Sequence, residues 1–447
     1  MKYSPNCQDS RETMLKDIGV DNVDALFESI PENIRLKELL QISPPVSEFK
    51  LKKQLQQLSN YVETDAISFL GAGAYRRYIP EAISSITSRS EFLTSYTPYQ
   101  PELSQGSLHM MFEFQTMLSY YTGMDVANAS MYEGATAVAE AVFMAKRIKK
   151  KLNRVLVSTG LHPEYLQVLR TYLKHSSLEI ALVPVDEKGQ TDLDELEKMI
   201  DDSTLCSVFP VINFYGVIED QKRHGEILDK VNAINISVII EMTALGMIAP
   251  PGEFGADIVV GEAQSLGLPV AYGGPYLGIF ACREKYTRQM PGRLIGQTVD
   301  SNGKRAFCLT LSTREQHIRR EKATSNICSN QALCALWVSL YLSLIGKMGL
   351  KKLSKLNYSK TQYLLSKIKD LQHFNLRYES PVYNEFVLDS DIELEKVLAT
   401  LESKNILAGV PLRRFDSKDV NGLLVNVTEV NSKEEIDCLV QSLGEVK

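Results

Sequence analysis

The sequence lacks the marks of a nucleic-acid-binding, metal-binding or disulfide-stabilised protein. Its 55 aspartates and glutamates outnumber its 49 lysines and arginines, so there is no basic excess to neutralise a phosphate backbone. Its seven cysteines are odd in number and scattered, and no pair has the C-x-x-C spacing of a metal site. This pattern is typical of reduced, mostly buried thiols in a cytoplasmic protein that holds no metal.

Long apolar runs are also missing. Residues 1–12 are polar and show no secretory signal. The longest uncharged window is residues 323–346, and only residues 332–346 of it are mainly apolar. That stretch is shorter than the roughly 20 residues that a membrane span needs. The sequence therefore predicts a buried helix here and a soluble protein.

The chain does contain enough apolar sequence for more than one domain. It has 447 residues, of which 44% are hydrophobic, and a domain has roughly 150 residues. Three regions differ in pattern. We predict a helical arm at residues 1–60, a large α/β domain at residues 61–325, and a linking helix with a small C-terminal α/β domain at residues 326–447.

Short apolar runs alternate with amphipathic helices in the large domain. One such helix is Ala137–Lys150, whose apolar residues form a single stripe. Buried strands that alternate with helices favour a mostly parallel sheet covered on both faces. The candidate strands are Val155–Ser158, Ile180–Val185, Cys206–Ile212, Val238–Ile240, Ile258–Val260 and Leu277–Cys282.

The segment 95–102 displays polar groups with little conformational freedom. Two prolines stiffen it in an extended form. Rigidly presented hydrogen-bonding groups suit a ligand site or a subunit interface, although a packed surface loop is equally compatible. The candidate functional residues here are Tyr96, Tyr99, Gln100, Glu102 and the following Gln105.

Two glycine-containing segments could bind phosphate groups, but each has a simpler interpretation. Gly71-Ala72-Gly73 resembles the start of a dinucleotide fingerprint, yet Arg76 replaces the third glycine, so a tight turn is favoured. Residues 130–137 open a helix whose amino terminus attracts anions. Glu133 would itself occupy that positive end, so a plain helix cap is favoured.

Two further features concern charged residues. Glu241 lies at the carboxyl end of a predicted parallel strand, where ligands of α/β sheets gather. The run 314–322 mixes both signs of charge, and on a continuous helix Arg314, His317 and Glu321 would share one face. Arginines can bind carboxylates or phosphates, but most such runs are solvated surface.

These motifs resemble the glycine-cleavage P-protein family. The signature of that family matches residues 96–102 and 104–106, and the run TREQHIRREKATSNIC at residues 313–328 is highly specific. Further matches extend the resemblance over nearly the whole chain, at residues 128–130, 134–137, 255–257, 273–275 and 291–293. Within that family, the length and a missing lysine fit the alpha subunit of the two-subunit form.

The resemblance implies a fold-type-I, aminotransferase-like fold of the pyridoxal-phosphate-dependent transferases. In that fold an aspartate at the position of Glu241 holds the ring nitrogen of the cofactor, and a lysine near Gln264 and Ser265 binds it covalently. No lysine occurs between Pro250 and Glu284, and a Schiff base requires a primary amine. The resemblance therefore implies that a companion subunit carries pyridoxal phosphate and that this chain does not.

The resemblance also implies an activity and partners. The two subunits, as an α2β2 assembly, would decarboxylate glycine and pass its aminomethyl group to the lipoyl arm of the H-protein. Tyr96 to Gln105 then become candidate contributions to a site at the subunit interface. The candidate partner contacts are Arg314, His317, Arg319 and Arg320.

Two alternatives stay open at this point. The chain could be a self-sufficient pyridoxal phosphate enzyme that uses another lysine, such as Lys304 or Lys322. It could also be a non-enzymatic scaffold for a different partner. Schiff-base absorbance of the isolated chain and recovery of activity with the companion subunit distinguish these readings.

Overall fold

The computed structural model describes residues 7–38, 40–61, 65–93 and 96–446. The chain forms two compact units, Met1–Thr64 and Asp65–Lys447. The predicted arm at residues 1–60 includes residues 1–6 and 39, and the predicted segment 95–102 includes Ser95; these lie outside the described residues. The predicted boundary at residue 325 falls inside the second unit and stays a prediction.

The secondary structure alternates between helices and short strands. The α-helices are α1 (Gln8–Ile18), α2 (Glu48–Ser59), α3 (Glu81–Thr87), α4 (Gln105–Thr122), α5 (Gly134–Ile148), α6 (Pro163–Leu173), α7 (Leu193–Met199), α8 (Gln221–Leu228), α9 (Gln316–Arg319), α10 (Ala332–Ile368), α11 (Leu394–Glu402) and α12 (Lys433–Gly444). The strands are β1 (Ile67–Ser68), β2 (Val126–Ala127), β3 (Arg154–Ser158), β4 (Glu179–Val183), β5 (Thr204–Pro210), β6 (Ile234–Ile239), β7 (Ile258–Glu262), β8 (Gly278–Cys282), β9 (Leu294–Val299), β10 (Arg305–Thr310), β11 (Phe374–Leu376), β12 (Glu385–Ser390), β13 (Ile406–Leu407), β14 (Val410–Pro411) and β15 (Gly422–Asn426).

The first unit contains two helices that bury none of their residues. Ser47 caps α2 by accepting a hydrogen bond from the backbone N–H of Lys50, but neither α1 nor α2 has a buried side chain. The helical spacing of residues 23–30 predicts a longer helix than the single 3-10 turn observed at Asp24–Phe27. Pro31 follows Ile30, the last residue of this pattern, and disfavours helical conformation in it.

The main sheet has seven strands in the order β2-β8-β7-β6-β5-β3-β4. Strands β4, β3, β5, β6 and β7 are mutually parallel, and β8 runs antiparallel to β7 and β2. The prediction of a mostly parallel sheet is confirmed. Strand β6 begins four residues before the predicted Val238, because its polar residues Asn235 and Ser237 are buried with the apolar ones.

Helices cover both faces of this sheet, as predicted. Alternate side chains of β3 point to opposite faces, because successive residues of a strand do so. Val155 and Val157 pack with α5 and α6, whereas Leu156 packs with α7 and α8. Helices α4 and α10 cover the part of the sheet formed by β7 and β8. Helix α5 begins three residues before the predicted Ala137 and ends two residues before Lys150.

A smaller antiparallel sheet, in the order β11-β12-β15-β14, forms the C-terminal part of the second unit. Helices α11 and α12 pack against it through Leu394, Val397, Ile436 and Leu439. The pattern S-x-x-E at Ser432 and Glu435 predicts a capping box, and one is present at the start of α12. The apolar run Leu423–Val427 predicts a strand, which is β15, shifted by one residue.

Helix α10 is long and apolar enough to cross a membrane by length and composition alone. Its apolar residues Ala335, Val338 and Tyr341 pack into the same core as β7 and β8. Gly346, with φ 59° and ψ 175°, interrupts the helix. These contacts match the predicted buried helix.

The expectation of mostly buried thiols is wrong, because only Cys206, Cys282 and Cys334 of the seven free cysteines are buried.

Candidate functional site

A small cleft lies at the carboxyl ends of the parallel strands. His162 follows β3, Asn213 follows β5 and Glu241 follows β6, and Glu385 at the start of β12 approaches from the smaller sheet. The cavity between them has a volume of about 10 Å³. This is close to the space that one water molecule needs.

The turn Gly71–Gly73 closes one side of the cleft. Ala72 and Gly73 have φ of 62° and 90°, and the next α-helix begins only at Glu81, so the predicted tight turn is confirmed. The carboxylate of Glu385 accepts a hydrogen bond from the N–H of Ala72 (2.7 Å) and another from the hydroxyl of Tyr75 (3.1 Å). Burial raises the pKa of Glu385 to about 8, because no solvent stabilises its charge.

Glu241 has the predicted position but is already engaged by protein groups. It forms a buried ion pair with Arg77, and it accepts hydrogen bonds from the N–H of Thr243 (2.9 Å) and from the amide of Asn384 (3.1 Å). Arg77 also pairs with Glu429 at 2.7 Å. Buried charges require such partners, so the Glu241 carboxylate is committed to Arg77. Nothing in the sequence pattern indicated Arg77.

The amino terminus of α5 is occupied by two carboxylates. Glu133 caps the helix by accepting a hydrogen bond from the N–H of Thr136 (3.1 Å), as predicted. Glu262, at the end of β7, accepts three backbone hydrogen bonds: from Gly134 (3.0 Å), Gln264 (3.1 Å) and Leu277 (2.8 Å). A helix amino terminus binds anions through free N–H groups, and here carboxyl groups of the chain accept from them. Burial raises the pKa of Glu262 to about 7. Sequence reasoning missed Glu262.

The segment where the fold places a lysine is packed and hydrogen-bonded. The amide of Gln264 donates to the carbonyl oxygens of Tyr75 (3.0 Å) and Leu268 (2.8 Å) and accepts from the N–H of Tyr75 (2.9 Å). The hydroxyl of Ser265 accepts from the N–H of Met242 (3.0 Å). Both side chains are fully buried. All of these polar atoms therefore have partners within the chain.

The second group of candidate residues lies around a buried arginine. Arg293 donates hydrogen bonds to Thr97 (3.1 Å) and to the hydroxyl of Tyr99 (3.3 Å), and its guanidinium lies 5.5 Å from the centre of the Tyr99 ring. Tyr99 and Tyr96 are 56% and 79% exposed. The structure thus anchors one edge of this segment and leaves its phenols accessible. Sequence reasoning gave Arg293 no role, although residues 291–293 belong to a family motif.

The other residues of the segment differ in their surroundings. The side chain of Gln105 hydrogen-bonds to the backbone of β10 in the way that an adjacent strand would. Its amide oxygen accepts from the N–H of Phe307 (2.9 Å), and its amide nitrogen donates to the carbonyl of Phe307 (2.8 Å). Gln100 and Glu102 are exposed. Gln105 therefore holds the backbone of β10, and its role in a site stays a prediction, whereas Gln100 and Glu102 belong to the accessible surface.

The run 314–322 does not form the continuous helix expected from its spacing. It consists of two 3-10 turns, Ser312–Arg314 and Arg320–Lys322, on either side of α9, and Arg320 has φ 52°, which breaks the helix. The shared helical face is therefore a wrong prediction. Arg319 and Arg320 are exposed, as a partner surface would require.

Two residues of this run, Arg314 and His317, have defined contacts. Arg314 donates to the carbonyl oxygens of Leu311 (3.1 Å), Gly292 (3.2 Å) and Met290, so it holds the local backbone. His317 is half-exposed and lies 3.6 Å from the carboxylate of Glu315. Its ring packs edge-on against Tyr99, with 6.0 Å between the ring centres. The structure therefore joins His317 to the 96–102 segment.

Within the described residues, no group of three His, Cys, Asp or Glu side chains has the arrangement of a metal site. The polar residues form two sets instead. One set fills the ends of the parallel strands, and the other surrounds Arg293 beneath an accessible surface.

Comparison with known proteins identifies the family. A family model described as the glycine cleavage system P-protein matches residues 1–443. A protein of Desulforamulus reducens named "Probable glycine dehydrogenase (decarboxylating) subunit 1" is 46% identical over the full length of both chains.

Solved structures agree with that assignment. A crystal structure of glycine decarboxylase (P-protein) of the glycine cleavage system, in inhibitor-bound form, is 36% identical, with a TM-score of 0.89 and complete coverage of both chains. A sphingosine-1-phosphate lyase of Burkholderia pseudomallei is 14% identical, with a TM-score of 0.67 over 93% of each chain, and shares the fold alone. The fold is that of the fold-type-I pyridoxal-phosphate-dependent enzymes, and the chain belongs to the glycine cleavage system P-protein family.

Proposed function

We propose that this chain is the cofactor-free subunit of a two-subunit glycine decarboxylase. Together with a companion that carries pyridoxal phosphate, it decarboxylates glycine and transfers the aminomethyl group to the lipoyl arm of the H-protein. The assembly is α2β2, it works in the cytoplasm, and the isolated chain is inactive. The family membership and the "subunit 1" name of the relatives support this proposal.

The observation that carries the proposal is the filled amino terminus of α5. Glu262 takes the N–H of Gly134, and a Cβ atom added to Gly134 would lie 2.2 Å from the hydroxyl of Tyr165. A phosphate group would meet both a carboxylate and a phenol there. A second observation concerns the cleft lined by His162, Glu241 and Glu385. Its free volume of about 10 Å³ is far below the roughly 300 Å³ of a small-molecule pocket, so its residues do not fit pyridoxal phosphate.

The position of the missing lysine supports the same conclusion. Gln264 and Ser265 are hydrogen-bonded within the core and have no primary amine. Lys304 lies in the turn between β9 and β10, and Lys322 lies in an exposed 3-10 turn. Neither follows a strand of the parallel sheet, which disfavours a self-sufficient pyridoxal phosphate enzyme.

The exposed residues that surround Arg293 support a role of this chain in the active site of the companion. Tyr96, Tyr99 and His317 are accessible, while Arg293 and Glu315 beneath them are buried or nearly so. Rigid side chains that combine an apolar ring with a polar group are typical of binding surfaces. In the proposed assembly this surface faces the active site of the companion or the path of the lipoyl arm.

The test is exchange of the glycine carboxyl carbon with bicarbonate, in the presence of H-protein and pyridoxal phosphate. Three samples are compared: this chain alone, its companion alone, and the two mixed. We expect activity in the mixture only and no Schiff-base absorbance from this chain. Activity of this chain alone would contradict the proposal, and borohydride trapping would then locate its reactive lysine. An inactive mixture of two folded subunits would favour the scaffold alternative.

A further inference from the structure

The guanidinium of Arg293 is buried between two segments that are far apart in sequence, residues 97–99 and residues 328–330. The residue is 2% exposed. On one side it donates to Thr97 and Tyr99, and on the other it donates to the carbonyl of Cys328 (2.8 Å) and to the side chains of Ser329 (3.4 Å) and Asn330 (3.5 Å). One side chain therefore ties residues 97–99 to residues 328–330.

The 328–330 side of this link is anchored to the core. The hydroxyl of Tyr132 accepts from the N–H groups of Cys328 (3.0 Å) and Ser329 (3.3 Å), and the amide of Asn330 donates to the carbonyl of Ala129 (2.9 Å). Residues 129–132 lead directly into α5. Arg293 is thus held by acceptors whose own positions are fixed.

The 97–99 side has less support of its own. Tyr99 is 56% exposed, and the next residues form only a short 3-10 turn, Pro101–Leu103. The Tyr99 ring also packs against the edge of the His317 ring. The position of the Tyr99 phenol therefore depends on the arginine beneath it.

Stability does not account for burying this charge. Removing a guanidinium from water costs on the order of several kcal/mol, as it does for other buried ions. The acid nearest to Arg293 is Glu315, with 4.0 Å from Nε to the carboxylate oxygen, and Nε has no hydrogen-bond partner among the described residues. The remaining acceptors are neutral. Replacing a buried charge by apolar residues of similar volume is often neutral or stabilising, so stability alone gives no reason for an arginine here.

We propose that Arg293 is a positioning residue for the decarboxylation reaction. It fixes Thr97 and Tyr99 so that the Tyr99 phenol and the His317 ring face the companion's active site in one geometry. The inference rests on the proposed function. The planar guanidinium, with five donors, can reach both segments at once, whereas the ammonium group of lysine cannot.

The decisive variant is Arg293→Lys, mixed with the wild-type companion. We expect assembly by gel filtration to be unchanged and kcat for the exchange reaction to fall at least about tenfold, the effect of losing about 1.4 kcal/mol of positioning. The matched control is Arg377→Lys, which removes a partly buried arginine from Asp389 and Asp419 on the smaller sheet. This control is expected to lower the melting temperature and leave kcat unchanged.

Rescue and pairing experiments separate positioning from folding. Arg293→Ala is expected to recover part of its kcat on addition of methylguanidinium but not of ethylammonium. Tyr99→Phe and Arg293→Lys are expected to be non-additive in kcat, because both remove the same contact. If Arg293→Lys does not fold, the Thr97→Val variant tests the same link from its other end.

The outcomes distinguish this inference from the proposed function. Wild-type kcat in assembled Arg293→Lys, or in Thr97→Val where that variant takes its place, would overturn the positioning role. Unchanged kcat in both Tyr99→Phe and Thr97→Val would show that the segment contributes nothing, which also overturns it. An inactive mixture of wild-type subunits would instead refute the proposed function itself.

Discussion

Glu262 and Glu133 both lie at the first turn of α5, yet they make different demands on a side chain. Glu133 is a cap that accepts one hydrogen bond, from Thr136, and an amide oxygen can do the same. Glu262 accepts three, two on Oε1 and one on Oε2. An amide at position 262 would place its NH2 group against an N–H donor.

This difference predicts opposite sensitivities to the same substitution. Glu262→Gln is expected to lower the free energy of unfolding by about 1–3 kcal/mol, because a buried N–H loses its acceptor. Glu133→Gln is expected to change it by no more than about 0.5 kcal/mol. Urea unfolding monitored by circular dichroism measures both, and equal effects would contradict the role given to Glu262.

Glu385 predicts how stability depends on pH. Burial raises its pKa in the folded state to about 8, above the ordinary value of 4.5 expected in the unfolded chain. The folded state therefore binds this proton more tightly, so the stabilisation is fully present below pH 4.5 and is lost as the pH rises through about 8. One pKa unit corresponds to about 1.4 kcal/mol.

The test is Glu385→Gln, which resembles the protonated acid. Its amide oxygen can accept from Ala72, and its NH2 group can donate to Tyr75. We expect the free energy of unfolding of the variant to fall less than that of the wild type between about pH 5 and about pH 8. Identical pH profiles would mean that Glu385 does not titrate in this range.

The sequence carried different amounts of information about different residues. Cap residues such as Glu133 were predictable, because capping depends on neighbours along the chain. Glu262 and Arg293 were not, since Glu262 accepts from Gly134, 128 residues away, and Arg293 donates to Thr97, 196 residues away. Residues that act through long-range hydrogen bonds leave no periodic pattern, and only the family motif at residues 291–293 hinted at one of them.

At the scale of elements, apolar periodicity identified six of the seven strands of the main sheet, all but the two-residue β2, and the helix α5. It failed for the run 314–321, where helical spacing was present but Arg320 adopts a positive φ and Arg314 is drawn to the carbonyl oxygens of residues 290–292. Long-range bonds to the backbone override local spacing there. The prediction of β6 was too short because its polar residues Asn235 and Ser237, which are buried in the structure, interrupt the apolar pattern.

Helix α10 offers a direct test of backbone conformation. Gly346 has φ 59° and ψ 175°, a region open almost only to glycine, and a Cβ atom there would meet nothing within 4 Å. Gly346→Ala is therefore expected to destabilise the protein by about 1–3 kcal/mol through strain alone. Thermal unfolding of the isolated chain measures the change.

Gly106 is the matched control for that substitution. It lies in the first turn of α4, it has no positive φ, and a Cβ atom would again meet nothing within 4 Å. Gly106→Ala is expected to stabilise by about 0.5–1 kcal/mol, as in other helices. Effects of the same sign at both positions would refute the conformational argument.

At the scale of the whole molecule, the first unit stands out because its helices bury none of their residues. Large apolar side chains such as Phe49, Leu55 and Leu58 are 80%, 55% and 60% exposed. Exposed apolar surface of this extent is typical of an interaction surface. The predicted arm at residues 1–60 is therefore proposed to serve assembly with the companion.

Removing that unit tests the idea. A chain that begins at Asp65 is expected to keep its melting temperature within a few degrees, because no buried side chain of α1 or α2 is lost. It is expected to lose co-elution with the companion in gel filtration. The single substitution Phe49→Asp should weaken assembly in the same direction, and full assembly of both variants would rule out this role for the arm.

The Glu262 carboxyl group at the amino terminus of α5 also bears on how the protein is made in the cell. A protein that binds a ligand in its folded state is stabilised more as the supply of that ligand rises. Here Glu262 is synthesised with the chain and fills its position as soon as β7 and α5 meet. In the proposed assembly, the maturation of this subunit would therefore not depend on the supply of pyridoxal phosphate, which only its companion would bind.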